Sequence, residues 1–527
     1  MIWGFEGLVA IGRVVYRAWW RRSRWVRCRR SWRGGLIRQL ADPAAAALSH
    51  DLLEDLVAEQ GRELLRRLLQ AHLDLRAMRE RRAALRARRG AGGAGMIGVD
   101  EVVRRRLESG HHRQLATIVG TVTVTRCAWR APGAANLYPA DAALSLPAGR
   151  HSAGLARLAV REAVRGSFDA AKAAITSRCG PVIGKRQLEE AVVAAAADID
   201  AFYAQQIPLP RTAEELLVIS VDGKGVVMRP EGLRPATRQA AERHRATFRT
   251  RLASGEKPCR KRMAMLGVVY DAVPAPRRGH DVIAVPGGRS GDRPARSGPA
   301  ARSKWLCGSV SADPGEVIAK VFDQAEARDP RHARTWVVLI DGARHQLGLI
   351  RAEAARRGVA IHIVIDVIHV LEYLWKAAWC LHAGGDPVAE GWVAAHALSV
   401  LAGRVEDAAA ALDAQATAAG LGPGRRGGVD AAVRYLRGNA AFLRYDEALV
   451  AGWPIATGVI EGACRHLVND RLDITGARWG LAGAEAVLTL RAVIANGDFD
   501  AYWRFHRAQE HRRVHQTRYQ AELDLTA

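Results

Sequence analysis

The segment EELLVISVDGKGVV (214–227) is the starting point for interpreting the fold, because it joins an apolar run to an aspartate beside a glycine. The β-branched and apolar residues predict a strand. We expect this strand to end at Asp222, where Gly223 lets the backbone turn. A strand-ending Asp-Gly is most often a simple turn, so Asp222 becomes interesting only if other carboxylates join it.

Two more strands are predicted downstream, at MAMLGVVYD (263–271) and WLCGSVS (305–311), and a helix follows over 315–328. The segment TWVVLIDGARHQ (335–346) then repeats the opening pattern. It is an apolar strand that ends in Asp341-Gly342.

A basic helix (349–357) leads from there to VAIHIVIDVIHVLEYLW (359–375). We interpret this segment as a further apolar strand that ends in Asp366, with His369 three residues on. Asp341 and Asp366 are therefore alternative partners for Asp222. We favour Asp341, because its Asp-Gly ending matches that of Asp222, and we assign Asp366 and His369 an auxiliary, orienting role.

The order strand, strand, strand, helix, strand, helix, strand is that of an RNase H-like core. In that plan the first and fourth strands are neighbours, so Asp222 and Asp341 would meet. Carboxylate oxygens at adjoining strand ends suit Mg²⁺ or Mn²⁺. A site for two ions, which can activate one oxygen and stabilise the leaving one, needs a third carboxylate.

The segment GWPIATGVIEGACRHLVNDRLDITGARWG (452–480) supplies that carboxylate. It predicts a helix on which Glu461, Arg465 and Asn469 are four residues apart and share a face. Glu461 would bind metal, and the Arg465 guanidinium would bind DNA phosphate. The alternative, an ordinary ion pair on a solvated helix, is disfavoured by the tryptophans that flank the segment.

The part of the chain before the predicted core is mainly helical. Leucines from Leu48 to Leu73 recur at helical spacing, so 44–90 predicts one or two amphipathic helices that serve core packing or dimerisation. LATIVGTVTVTRCAWRAP (115–132) predicts a strand or hairpin.

Three helices are predicted in 152–206, and the last, over 185–203, begins with Lys185, Arg186 and Gln187. These are side chains that a recognition helix would present to DNA, so we interpret 151–206 as a helix-turn-helix-like unit. A plain three-helix packing unit is the alternative.

The charge of the chain indicates a polyanionic partner. Its 527 residues include 78 Lys and Arg against 54 Asp and Glu, a net charge of +24 with a pI of about 10.6. This balance favours nucleic acid over a small neutral substrate. The seven cysteines include no C-x-x-C pair, which argues against a zinc ribbon and a disulfide framework and favours a reducing cytoplasm. No apolar run is long enough to cross a bilayer.

Three segments fall outside the predicted core elements. Residues 1–40 carry ten arginines and five tryptophans, which we interpret as a non-native extension or, alternatively, a basic arm. Residues 229–304 carry 18 Lys and Arg against six Asp and Glu and predict a basic loop for the phosphate backbone. A helical, Ala-rich stretch precedes Trp453, with DNA handling, dimer contact or scaffolding as its possible roles.

Five strings together resemble the ISKra family of bacterial insertion-sequence transposases. They are VISVDGKGVVMRPEGLRPATR (218–238), VVLIDGARHQ (337–346), IVIDVIHVLEYLWKAAWC (363–380), the 452–480 segment and NGDFDAYWRFH (496–506). The resemblance runs from about residue 42 to the C-terminus. It implies a DDE transposase with the triad Asp222, Asp341 and Glu461. The Asp366-x-x-His369 pair resembles a signature of hAT and Mutator-like transposases, and residues 1–40 depart from the family's usual beginning.

The expected fold is an α/β RNase H-like catalytic core with a helical insertion, preceded by a mainly helical DNA-binding region with a short β segment. The expected divisions, in order, are an extension (1–41), a helical and β region (42–150), the helix-turn-helix-like unit (151–206), the core (207–370), the insertion (371–451), the second core part with Glu461 (452–500) and a tail (501–527).

The expected function is metal-dependent DNA cleavage and strand transfer of an insertion sequence, with Mg²⁺ or Mn²⁺ as the metal and two as the expected number of ions. The expected partners are transposon-end and target DNA and further copies of the chain, without a membrane, in the bacterial cytoplasm at the nucleoid. The alternatives are a catalytically inactive, transposase-derived DNA-binding protein and an RNase H-like nuclease or resolvase.

Overall fold

The computed structural model of the chain describes residues 37–89, 95–208, 211–245, 260–284 and 295–519. The chain forms two compact units. The first comprises the residues up to Leu155, Ile175–Ile183 and those from Arg513 onward, and the second comprises Ala156–Ala174 and Gly184–Arg512. Residues 1–36, which make up most of the segment interpreted as a non-native extension or a basic arm, lie outside the described residues.

The first unit is a long helix packed on a β-hairpin. Its elements are α1 (Pro43–Ala46), α2 (His50–Arg89), β1 (Met96–Ile97), β2 (Val103–Arg104), β3 (Arg106–Thr117), β4 (Gly120–Arg130) and α3 (Pro139–Ala143). Leu73 of α2 packs with Leu115, Val122, Val124 and Leu146 in one core cluster. A second cluster contains Ala84, Trp129 and Leu137.

The predicted helices over 44–90 and the predicted hairpin are both confirmed, with two differences. Among the leucines from Leu48 to Leu73, Leu73 alone is fully buried, because the hairpin covers only the C-terminal part of α2. The hairpin also begins earlier than expected, since β3 pairs antiparallel with β4 from Arg106 onward. Polar residues such as His111 and His112 in β3 concealed this strand in the sequence.

The helical segment before the sheet consists of α4 (Ala153–Ala163), α5 (Phe168–Cys179), α6 (Lys185–Ala195) and α7 (Ile199–Tyr203). Ser167 caps the start of α5, because its Oγ accepts a hydrogen bond from Ala170 N at 3.1 Å. The single helix expected over 185–203 is interrupted after Ala195. The segment 151–206 is also divided between the two compact units, so it is not a separate compact unit.

The centre of the second unit is a five-stranded mixed sheet. Its strands are β5 (Leu216–Val227), β6 (Lys261–Ala272), β7 (Arg302–Ser309), β8 (Trp336–Ile340) and β9 (Ile361–Ile365). Their order is β7-β6-β5-β8-β9. The pairs β7-β6 and β6-β5 are antiparallel, whereas β5-β8 and β8-β9 are parallel. The first and fourth strands of this sheet are therefore neighbours, as expected from the order of the predicted elements.

The helices around this sheet include α8 (Pro235–Arg245), α9 (Gly279–Val282), α10 (Pro314–Arg328), α11 (Arg344–Arg357), α18 (Leu481–Ala495) and α19 (Phe499–Val514). Of these, α10 and α18 pack directly on the strands. Two glycines mark the close approach of opposite helices. A Cβ at Gly267 would collide with Val321 of α10, and a Cβ at Gly308 would contact Leu488 of α18. Because Gly267 is paired with Cys307, the neighbouring Gly308 faces the other side of the sheet.

The expected helical stretch between the last strand and the Glu461 segment is present. Its helices are α12 (Val367–Leu381), α13 (Val388–Leu401), α14 (Val405–Ala418), α15 (Gly427–Asn439) and α16 (Tyr445–Val450). The sequence placed the boundary at 371, but α12 begins directly after Asp366. The range 229–304 is not one loop either, since β6 and helix α8 lie within it, while 246–259 and 285–294 fall outside the described residues.

Candidate active site

Three aspartates lie at the same edge of the sheet, where β5, β8 and β9 run parallel. Ser220 pairs with Leu339, so two residues further along Asp222 stands beside Asp341. Ile340 pairs with Ile365, so Asp341 in turn stands beside Asp366. Neighbouring strands are about 4.8 Å apart. The backbone therefore places three aspartates from distant parts of the chain at neighbouring positions.

Asp222 does not end its strand, which corrects the expectation from the Asp-Gly pattern. Strand β5 continues to Val227, with Asp222 paired to Leu266 of β6. The reason is that β6 pairs with β5 along its whole length, whereas β8 pairs only as far as Ser220. Asp222 thus lies on a part of β5 that projects beyond β8, with one edge of the strand free of that neighbour.

The carboxylate of Asp222 is half-exposed and has two donors. Gly223 N donates to one oxygen at 2.6 Å. The thiol of Cys464 donates to the other oxygen, with 3.2 Å between Sγ and Oδ2. Burial, together with the charge of Asp222, raises the pKa of the Cys464 thiol. Cys464 is therefore a neutral donor that fixes the orientation of this carboxylate.

Asp341 directly follows β8 and is also half-exposed. The turn that carries it needs glycine, because Gly342 has φ of 90°. Ala343 N donates to Asp341 Oδ1 at 2.8 Å, and the Tyr435 hydroxyl donates to the Asp341 carbonyl oxygen at 3.3 Å. Tyr435 belongs to α15, so a helix of the insertion contacts the loop that carries Asp341.

Asp366 differs from the other two because it has no exposed surface. It is the N-cap of α12, and its carboxylate accepts from Ile368 N at 3.1 Å and from Thr457 Oγ1 at 2.7 Å. Burial raises the pKa of Asp366, against the effect of these hydrogen bonds, and the charge of Glu461 raises it further. The predicted partner His369 is one turn on, but its Nδ1 lies 3.6 Å from Glu372.

Glu461 stands on α17 (Gly458–Cys464), in the segment where the sequence placed it. This segment is joined to the sheet at both ends. Val367 N, at the start of α12, donates to Ile455 O at 3.0 Å, and Trp479 N donates to Val227 O at 3.1 Å. The Glu461 carboxylate is therefore carried on a short helix whose entry and exit both meet the edge that holds the aspartates.

The Thr457 hydroxyl connects Glu461 to Asp366. Its oxygen lies 2.8 Å from Glu461 Oε1 and 2.7 Å from Asp366 Oδ2. A hydroxyl carries a single proton, so it donates to one carboxylate at a time. The Thr457 oxygen is thus within hydrogen-bond distance of both carboxylates, which links the position of Glu461 to that of the buried Asp366.

The predicted common face of Glu461, Arg465 and Asn469 is interrupted. The α-helix ends at Cys464, and Arg465–Asn469 form a π-helical turn, which changes the angular spacing of the side chains. Glu461 and Arg465 are exposed, whereas the Asn469 side-chain oxygen is buried and accepts no hydrogen bond within the described residues. Arg465 remains accessible to a phosphate, and Asn469 does not belong to the same surface.

The predicted DNA-reading residues at the start of α6 are exposed, and each has a local contact. Lys185 Nζ lies 2.7 Å from Asp169, and Arg186 lies 3.0 Å from Glu190. Gln187 accepts a hydrogen bond from Gly184 N at 3.0 Å and so caps its own helix. None of these contacts brings the three side chains to the carboxylates of the sheet edge.

Two residues of the site were missed in the sequence. Thr457 precedes Glu461 by four residues and Cys464 follows it by three, spacings that place side chains close together around a helix start. That spacing was the available signal for both. Neither residue type is a usual ligand of Mg²⁺, so a search for carboxylates passed over them.

Within the described ranges, no three His, Cys, Asp or Glu side chains are gathered closely enough to hold a metal ion. Asp222, Asp341 and Glu461 each turn towards a donor of the protein instead. Their chemistry and accessibility nevertheless suit a cation that prefers oxygen, because these three carboxylates are half-exposed or exposed.

Comparison with known proteins identified no relative: no protein-family model matches the chain, and no curated protein is significantly similar to it. In the part of the chain that the structure describes, no helix is both long and apolar enough to span a membrane.

Proposed function

We propose that the chain is a DDE transposase of the ISKra type, with an RNase H-like catalytic core that cleaves and joins DNA. The observation that carries the proposal is the arrangement of Asp222 and Asp341 on adjoining parallel strands with Glu461 on a helix tied to the same edge. The strand order β7-β6-β5-β8-β9, with its antiparallel and parallel halves, supports the assignment of the core.

The proposed roles of the carboxylates follow from their exposure. Asp222, Asp341 and Glu461 would hold Mg²⁺ or Mn²⁺, with two ions as the expected number. When bound, these ions supply positive charge for a phosphodiester and lower the pKa of a water molecule. Asp366 is buried and occupied by its cap and by Thr457, so it positions Glu461 rather than binding metal.

The proposed reaction has two steps on DNA. Hydrolysis of a phosphodiester at the end of the element releases a 3′ hydroxyl, and this hydroxyl then attacks a phosphodiester of the target, so one bond forms as one breaks. The exposed guanidinium of Arg465 stands one turn after Glu461, where it can neutralise phosphate charge. The net charge of +24 supports a polyanionic substrate.

A cleavage assay tests this proposal. Full-length protein is incubated with DNA that carries the ends of its own element, in Mg²⁺, Mn²⁺ or EDTA, and nicked products are resolved on a denaturing gel. We expect nicking that depends on the metal and disappears in Asp222→Asn and Glu461→Gln, while DNA binding persists. Cleavage by both variants at the wild-type rate would contradict the proposed triad.

One observation favours a second candidate, a catalytically inactive DNA-binding protein derived from a transposase. In the described residues the carboxylates are not gathered into a preformed metal group. The same assay separates the two functions, because the inactive protein would bind end DNA without cutting it in either metal. A cut that is independent of the element's ends would instead indicate a nuclease or resolvase.

The remaining proposals concern assembly and recognition. We propose that the protein acts as a homo-oligomer on DNA at the bacterial nucleoid, with Lys185, Arg186 and Gln187 contributing to DNA binding. Light scattering of the protein with and without end DNA measures the number of copies. Replacing all three residues by alanine should weaken binding to end DNA more than to random DNA, and an equal loss on both would remove them from recognition.

A further inference from the structure

A basic cavity lies between the insertion and the loop that carries Asp341. It has a volume of about 590 Å³ and is lined by Arg344, Asp430, Val433, Arg434, Arg437 and Gly438. Arg344 is the first residue of α11, three residues after Asp341, and the other five belong to α15. Tyr435 of α15 donates to the Asp341 carbonyl oxygen, which fixes this helix against the loop.

The charges around the cavity leave two guanidinium groups in excess. Asp430 is paired with Arg426 at 2.8 Å, and Arg437 is paired with Glu406 at 3.3 Å. Arg344 and Arg434 are exposed, and within the described residues neither has a carboxylate at ion-pair distance. Arg344 and Arg434 therefore give the lining of this cavity an excess of positive charge that an anion can neutralise.

The dimensions and position of the cavity favour a phosphodiester over a bulk counterion. The cavity is largely open to solvent, so an extended phosphate backbone can lie in it without being enclosed. Planar guanidinium groups form paired hydrogen bonds with phosphate oxygens.

We propose that this cavity, with Arg344 and Arg434 as its anion ligands, holds the phosphate backbone of the DNA strand that passes the Asp341 loop. The inference rests on the proposed function for the identity of the polyanion, and it deepens that function by naming where the insertion holds DNA. Binding there is sequence-independent, because phosphates carry no base information. The insertion is thereby a clamp on the strand rather than a scaffold alone.

The salt dependence of DNA binding tests the proposal. A fluorescent 30-base-pair duplex of random sequence is titrated with full-length protein in EDTA at several NaCl concentrations. The logarithm of the binding constant falls with the logarithm of salt concentration, by about 0.9 for each phosphate neutralised. We expect the R344A/R434A variant to bind more weakly and its slope to be smaller by about 2.

Matched variants separate this site from general charge. R351A/R425A removes the same charge from exposed positions outside the cavity and should leave the slope nearly unchanged. R344K/R434K keeps the charge and should retain most of the slope. Gly438→Leu fills the cavity without changing charge, since a Cβ there lies 3.3 Å from the movable end of Arg344, and should weaken binding.

Each outcome has a distinct meaning. Equal slopes for R344A/R434A and R351A/R425A would overturn the inference. If inorganic phosphate at about 10 mM raises the melting temperature of the wild type but not of R344A/R434A, and the DNA slope is unaltered, the cavity is a small-anion site and the proposal fails. A smaller slope together with absent Mg²⁺-dependent cleavage would preserve the DNA cavity and refute the transposase function.

Discussion

The ends of β8 and β9 are neighbouring regions of one sheet edge, and each has an aspartate followed by a helix. Asp341 is half-exposed and keeps carboxylate surface for another ligand. Asp366 is wholly buried, and its two oxygens are used by the α12 cap and by Thr457. The comparison teaches that the position of a strand end determines where a carboxylate lies, whereas its burial determines which partners it can have. An accessible carboxylate can bind a cation, and a buried one can only form hydrogen bonds with its neighbours in the protein.

The largest expected difference is in cleavage. Asp341→Asn should lower the rate of Mg²⁺-dependent nicking by roughly 10³-fold or more, about 4 kcal/mol of barrier, at any metal concentration, because it removes a ligand charge. Asp366→Asn should leave measurable nicking. The rates are compared in single-turnover assays with equal DNA occupancy. An inactive Asp366→Asn beside an active Asp341→Asn would exchange the two roles.

Thr457 provides a sharper test of the positioning role. Thr457→Val keeps the shape and removes the hydroxyl that joins Asp366 to Glu461. We expect the Mg²⁺ concentration for half-maximal cleavage to rise roughly 10- to 100-fold, the usual cost of losing a group that orients a metal ligand. Thr457→Ser should restore most of the loss. If the valine variant and the wild type need the same Mg²⁺ concentration for half-maximal cleavage, Thr457 and Asp366 do not position Glu461.

The buried state of Asp366 should also be visible in stability. Burial raises the pKa of Asp366 in the folded protein. The protonated carboxyl therefore adds to the free energy of unfolding below the unfolded-state pKa of about 3.9, and this stabilisation is lost as pH rises through the folded-state pKa. Asp366→Asn keeps a good N-cap. Its free energy of unfolding relative to the wild type should therefore increase from pH 4 to pH 7, by about 1.4 kcal/mol for each unit of pKa shift.

Denaturant titrations at pH 4, 5.5 and 7 measure that difference. The charge of Glu461 contributes to the raised pKa of Asp366, and Asp366 in turn contributes to the raised pKa of Tyr435 and Tyr445. Glu461→Gln in the same series serves as the control. Removing the charge of Glu461 lowers the pKa of Asp366, so the free energy of unfolding should depend less on pH in this variant than in the wild type. A pH-independent difference between the asparagine variant and the wild type would show that Asp366 is not held in its protonated form.

The smallest effect is expected at His369. Its Nδ1 lies 3.6 Å from Glu372, and both side chains are partly or largely exposed. Exposed pairs of this kind contribute about 0–1 kcal/mol. His369→Ala should change nicking less than about threefold, which is within 1 kcal/mol of barrier. A loss comparable to that of Asp341→Asn would establish contact between His369 and the reacting DNA.

The strands and the positions of the carboxylates that follow them could be predicted because short runs of apolar, β-branched residues favour buried strands. VVLI before Asp341 is buried throughout, and Val364 and Ile365 directly before Asp366 are buried as well. The extent of β5 could not be predicted in the same way. Asp-Gly is a turn signal, but β6 pairs with β5 through Asp222 and Gly223, and these tertiary hydrogen bonds override the local preference.

The hydrogen bonds between side chains of the site could not be predicted from the sequence pattern either. The thiol of Cys464 reaches Asp222 across 242 positions, and the Thr457 hydroxyl reaches Asp366 across 91. Such contacts depend on the rotation of α17 about its own axis and on the π-helical turn after it. With 3.6 residues per turn, Asn469 would lie on the same helix face as Glu461. The π-helical turn has more residues per turn than an α-helix, so this expectation fails there.

The double attachment of the Glu461 segment has a consequence for how such a chain can change over time. Because Ile455 and Trp479 both bond to the edge that carries the aspartates, the loop between them is closed locally and does not depend on the length of chain that precedes it. The helices from α12 to α16 can then lengthen, shorten or acquire new surfaces by insertion and deletion, while the register of Glu461 and the aspartates stays fixed. If the proposed function is correct, DNA handling by these helices can vary without changing the proposed catalytic site.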